Sequence, residues 1–71
     1  MKTILVVEDD PAVQRGIREN LAQERFRVLV ERDGMLALNR ARREPLDLVI
    51  LDVMLPSMNG FDVCARLFRS C

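Results

Sequence analysis

The chain has 71 residues, 49% hydrophobic and 31% charged, with three Phe as its entire aromatic content. That is room for one small domain over residues 1–71 with no separate output domain. Eleven basic residues cancel eleven acidic ones, which gives no electrostatic case for nucleic acid or a membrane surface as a partner.

Met1-Lys2-Thr3 leads straight into an apolar run with no leader pattern, and no run is long enough to span a bilayer. Cys64 and Cys71 fall seven residues apart on one helix-like stretch, about 10 Å from each other, too far to bridge. The composition reads as soluble, reduced and cytoplasmic.

Ile4-Leu5-Val6-Val7 is an unbroken apolar run of the kind found in parallel sheets, closed by Glu8-Asp9-Asp10. Pro11 suits the first position of a helix with Asp10 as its N-cap. Val13, Ile17 and Leu21 recur at helical spacing while Gln14, Arg15, Arg18 and Glu19 face elsewhere, so this helix is amphipathic and ends at Glu24-Arg25. Phe26, Val28 and Val30 alternate with Arg27 and Glu31, with Leu29 apolar between them, which predicts a strand at a sheet edge.

Asp33-Gly34 is a turn whose Asp caps a short helix over about 35–43. Ala37, Leu38 and Ala41 form its apolar side, and Pro45 stops it. Leu48-Val49-Ile50-Leu51 carries no alternation and predicts a strand buried on both faces, ending in Asp52. Beyond Pro56 and Gly60, the residues Phe61, Cys64, Leu67, Phe68 and Cys71 fall on one face of a third helix. Strand and helix alternate three times, which argues for right-handed βαβ units and a parallel sheet.

Two strands thus end in acids. If they are neighbours in a parallel sheet, Glu8, Asp9 and Asp52 meet at the edge where open α/β sheets place ligands. Their mutual repulsion needs an offset, and a hard divalent cation with oxygen ligands supplies it; Mg²⁺ suits a site with few protein ligands. The plainer reading makes Glu8 and Asp9 solvated loop acids and Asp10 a cap.

Other chemistries fit less well. No Gly-rich loop with Lys-Ser/Thr supports a nucleotidase, and Met54 stands where a dehalogenase-type phosphatase would want a second Asp. The absence of His removes histidine-based triads and most transition-metal sites. No helix-turn-helix or basic-aromatic pattern supports nucleic-acid binding by this chain.

Ile4-Leu5-Val6-Val7-Glu8-Asp9-Asp10, Leu48-Val49-Ile50-Leu51-Asp52-Val53-Met54-Leu55-Pro56 and Asn59-Gly60 together resemble the receiver domain of two-component response regulators. The Asp-x-Met-Leu-Pro signature is most similar to the subfamily of transcription factors with a winged-helix output domain. The resemblance implies a flavodoxin-like α/β fold, here β-α-β-α-β-α with parallel order 2-1-3.

It also implies bacterial phosphorelay signalling rather than an independent enzyme. Asp52 would be the phosphoacceptor, loaded from the phosphohistidine of a sensor histidine kinase. Asp9 and Asp52 would ligate Mg²⁺ directly, Glu8 through water and Met54 through its backbone carbonyl.

By the family's pattern the last two β-α units are missing, and with them the switch Ser/Thr and the Lys that contacts the phosphoryl group. The expectation is therefore a truncated receiver with impaired phosphotransfer. The alternative is a non-signalling fragment that associates with itself, as a homodimer through its exposed third strand or through exchanged elements.

Overall fold

Residues 1–51 are described by the computed structural model and carry five elements in order: β1 (Thr3–Val7), α1 (Pro11–Gln23), β2 (Arg27–Glu31), α2 (Gly34–Arg43) and β3 (Leu48–Leu51). The expected third helix, with Cys64 and Cys71, lies outside the described residues.

The three strands form one sheet of order β2-β1-β3, parallel throughout. Thr3 faces Arg27 and Val7 faces Glu31 on one side of β1; Ile4 faces Leu48 and Val7 faces Leu51 on the other. The 2-1-3 order of a flavodoxin-like receiver is present, and among the described residues β2 lies at a sheet edge, as its alternating pattern predicts.

Each helix begins where its sequence says it should. The Asp10 carboxylate accepts from the Ala12 and Val13 N–H groups at 2.9 and 3.3 Å, ahead of Pro11. Asp33 repeats the device on Met35 and Leu36 at 2.8 and 3.3 Å, so α2 starts at Gly34, one residue before the expected boundary. Each cap meets backbone donors that a helix start leaves without intrahelical partners.

The end of α2 carries Arg40, Arg42 and Arg43, cations placed favourably against the helix dipole. Glu44 then turns extended (φ −128°, ψ 138°), the conformation required of a residue before Pro45.

The end of α1 is less conventional. Phe26 N–H donates to the Leu21 carbonyl at 3.3 Å and Arg25 N–H to the Ala22 carbonyl at 3.0 Å. This is the Schellman pattern of a helix C-terminus, with Arg25 in the left-handed position at φ 66°.

The core is centred on β1, whose five residues are all buried. Leu5, Val7 and Ala37 form a buried cluster, joined on the same side by Leu29, Leu46, Val49 and Leu51. Strand neighbours two apart share a face, so this cluster defines the α2 side of the sheet. Ile4 and Val6 are buried on the other face. The crossovers from β1 to β2 and from β2 back past β1 to β3 run in opposite directions, and the right-handed rule places α1 and α2 on opposite faces.

In α2, Ala37 and Leu38 are buried as expected and Ala41 is half-buried. In α1, Ile17 and Leu21 are only half-buried and Val13 is 46% exposed, so the predicted stripe is present but thinly covered.

The expectation that β3 is buried on both faces is corrected. Val49, Ile50 and Leu51 are half-buried and Leu48 is 53% exposed, because among the described residues β3 is flanked on one side only. It is β1 that is enclosed on every side.

Candidate functional site

The site grows from the C-terminal ends of the strands. The parallel ladder carries past Val7: the Glu8 N–H donates to the Glu31 carbonyl at 3.0 Å. The chain then leaves the sheet, and Glu8 Oε1 accepts from the Asp10 N–H at 3.3 Å, tightening the turn into α1. Glu8 is half-buried and Asp9 exposed. Asp10 is committed to its cap, as the plainer reading has it, and Glu8 and Asp9 are the acids that directly follow β1 at this edge.

Gln14 holds this turn from above. It was expected on the outward face of α1 with Arg15 and Arg18. It is instead half-buried, and its Nε2 donates to the Glu8 carbonyl at 3.1 Å and to the Glu31 carbonyl at 3.4 Å. One side-chain amide with two hydrogens thus ties the β1–α1 turn to the end of β2. A polar residue one position after an apolar one gives no sign of this in sequence, since both acceptors are backbone carbonyls.

Glu31 is the hub of the β2 end. Its carbonyl receives Glu8 and Gln14, and its carboxylate Oε2 accepts from Arg40 Nε and Nη2, both at 2.8 Å. Arg40 also reaches Glu44 at 3.4 Å, and Glu44 reaches Arg27 at 3.4 Å, so a chain of charges laces α2 to both ends of β2. Between these parts lies an open cleft of about 730 Å³ lined by Asp9, Gln14, Val30, Glu31, Arg32, Asp33 and Leu36.

Glu8 and Asp9 are hard carboxylate donors in adjacent positions at the carboxyl edge of a parallel sheet, which fits the chemistry of a Mg²⁺ site. Among the described residues no three acidic or sulfur ligands gather into a metal-holding group. The remaining expected members, Asp52 and the Met54 carbonyl, lie outside the described residues. The register nevertheless bears on them. Val7 and Leu51 are paired in neighbouring strands, and Glu8 and Asp52 are the residues that follow them in sequence.

Among the described residues, then, a parallel sheet of order 2-1-3 carries an acidic pair at the carboxyl end of its central strand, the edge where open α/β domains place ligands. The sequence matches the response regulator receiver domain over residues 4–70, and the chain belongs to that family. It is 42% identical over 67 residues to the response regulator ArlR of Staphylococcus epidermidis, covering 94% of this chain and 31% of that protein. The chain thus spans about a third of the length of the curated relatives it matches.

Among solved structures it superposes on the response regulator TrrA of Thermotoga maritima in complex with Mg²⁺-BeF. The TM-score is 0.94 at 33% identity, over 97% of this chain and 60% of that one. TrrA in complex with the histidine kinase ThkA gives a TM-score of 0.93 at 32% identity, over 100% of this chain and 61% of that one. No helix among the described residues is long and apolar enough to cross a membrane.

Proposed function

We propose that Asp52 is the phosphoacceptor of a cytoplasmic two-component relay and that Mg²⁺ binds beside it. Asp9 and Asp52 would hold the ion directly, Glu8 through water and Met54 by its backbone carbonyl. The observation that carries this reading is the β1–β3 register, in which the strands leading to Glu8-Asp9 and to Asp52 are adjacent, parallel and level at Val7 and Leu51. One relative in the same fold, TrrA, solved once with Mg²⁺-BeF and once with a histidine kinase, supports it.

In the proposed step a carboxylate oxygen of Asp52 attacks the phosphorus of a kinase phosphohistidine. An O–P bond forms, the N–P bond breaks, and the imidazole nitrogen leaves with the electron pair. A cation held by Asp9 and Asp52 would supply positive charge against the phosphoryl oxygens. The chain's own residues have the task of holding the acids at one edge. Glu8 is fixed there through its N–H on Glu31 and its carbonyl on Gln14.

Intact-mass spectrometry after incubation with Mg²⁺ and a small-molecule phosphodonor tests this. A phosphoryl adduct on the chain and none on Asp52→Asn is expected. A folded chain that takes no adduct refutes the assignment.

One observation favours a second reading, a homodimer through β3: among the described residues that strand is paired on one side only and Leu48 is 53% exposed. An apolar strand edge of this kind is a template for another chain. A monomer by light scattering at micromolar concentration would exclude it.

A further inference from the structure

Asp47 stands just before β3 and grips β1 across 44 residues of sequence. Its backbone N–H donates to the Thr3 carbonyl at 2.8 Å, and its carboxylate Oδ2 accepts from the Thr3 N–H at 2.7 Å. The first bond ties the residue just ahead of β3 to the start of β1. The second places a charged side chain where a ladder carbonyl would be, at the length of a charge-assisted bond. Thr3 is 8% exposed, so its N–H has little access to water in exchange.

This grip matters because β3 specifies its own register poorly. A strand that alternates polar and apolar residues is held in place by its faces, since a slip of one residue turns every side chain over. In β3 a slip exchanges Leu48 and Ile50 for Val49 and Leu51, and both faces stay aliphatic. With Ile4 opposite Leu48, Asp47 lies at the Thr3 amide. Advancing β3 by one residue would break that pair, draw the Asp47 carboxylate opposite Ile4, and carry the end of the strand at Leu51 about 3.3 Å further along β1.

The structure assigns Asp47 a positioning role: by clamping the Thr3 amide it selects the β3 register that delivers Asp52 to Glu8 and Asp9. Asp47 precedes β3 while Asp52 follows it, so it acts only through the strand between them. The assignment of Asp52 and Mg²⁺ on which this rests is the one proposed above.

Asp47→Ala and Asp47→Asn in the full chain separate the possibilities, read by cross-strand nuclear Overhauser contacts and by Mg²⁺ titration of the Glu8 and Asp9 amides. Asp47→Ala is expected to show contacts of the advanced register, with Leu48 opposite Leu5, and Mg²⁺ affinity weakened about tenfold, the usual scale for loss of a supporting residue. Asp47→Asn keeps an acceptor oxygen and is expected to hold the native register and affinity.

An Asp47→Ala chain that loses thermal stability yet keeps native contacts and native affinity overturns the proposal, because packing then sets the register. If the unmodified chain binds no Mg²⁺ while Asp47→Ala still slips, the metal reading falls and the register role stands. Should Asp47→Ala fail to fold, Asp47→Glu is read the same way, since its extra methylene spoils the bond to Thr3 while keeping the charge.

Discussion

Replacing Arg25 with glycine should stabilise this chain even though it removes a whole side chain. Arg25 sits at φ 66°, in the left-handed position that closes α1. For an L-residue this conformation costs about 1–2 kcal/mol, because Cβ crowds the following carbonyl oxygen. Glycine escapes that cost but gives back about 0.5–1 kcal/mol through the greater freedom of its unfolded chain. The difference is a gain of about 0.5–1 kcal/mol, or a rise in Tm of roughly 2–8 °C for a domain of this size.

Little opposes the gain. The hydrogen bonds that end the helix are all between backbone groups, and Arg25 is exposed and enters no ion pair among the described residues. Thermal melts followed by far-ultraviolet circular dichroism suit a chain without Trp or Tyr. Arg25→Ala is the control: it deletes the guanidinium but keeps Cβ, and should leave Tm unchanged. If glycine melts at or below the parent, the left-handed strain is not what Arg25 contributes and the reasoning fails.

Gln14→Leu should lower stability by about 1 kcal/mol, the worth of one good and one long hydrogen bond less the freed side-chain entropy. It should also weaken Mg²⁺ binding several-fold by loosening the turn that carries Glu8 and Asp9; an NMR titration showing parental affinity would sink that link. Gly16→Ala should raise the urea midpoint, since a Cβ there meets nothing within 4 Å among the described residues and alanine is the better helix former by about 0.8–1.0 kcal/mol. A lower midpoint would show that something else occupies that space.

Much of the fold is legible because it is written in local chemistry. Asp10-Pro11 and Asp33-Gly34 announce helix starts, and both aspartates cap as their position demands. Leu48 to Leu51 is a strand in the structure with the bounds its aliphatic run predicts. An aliphatic run does not reveal which strand takes the centre, however. Two such runs look alike in sequence, and only the crossover order makes β1 the enclosed one.

The turn at Arg25 was hidden for a different reason. A left-handed helix end is signalled by glycine, and here the chain uses arginine. At the candidate site, the acids closing β1 are plain in the sequence. The residues that hold the frame are not. Gln14 acts on carbonyls 6 and 17 residues away, and Asp47 on an amide 44 residues away. Such bonds depend on tertiary geometry, for which no short pattern is a sign. The 2-1-3 order that sets β3 against β1 came from the family resemblance, because alternation alone gives parallel pairing without naming neighbours.

The central position of β1 has a consequence for the order of assembly. Among the described residues, the strand in the middle of the sheet precedes both of its partners in sequence, and each of them follows only after a complete helix. Its pairing with β2 closes the shorter loop and is favoured early, when loop closure sets the rate. During that interval the opposite edge of β1 lies open, with Ile4 to Val7 as apolar as the interior they will become. A nascent chain at this stage presents a sticky half-sheet, the kind of surface that chaperones cover. Arrival of β3 ends the exposure, so the strand leading to Asp52 is set against β1 only after β2 is in place.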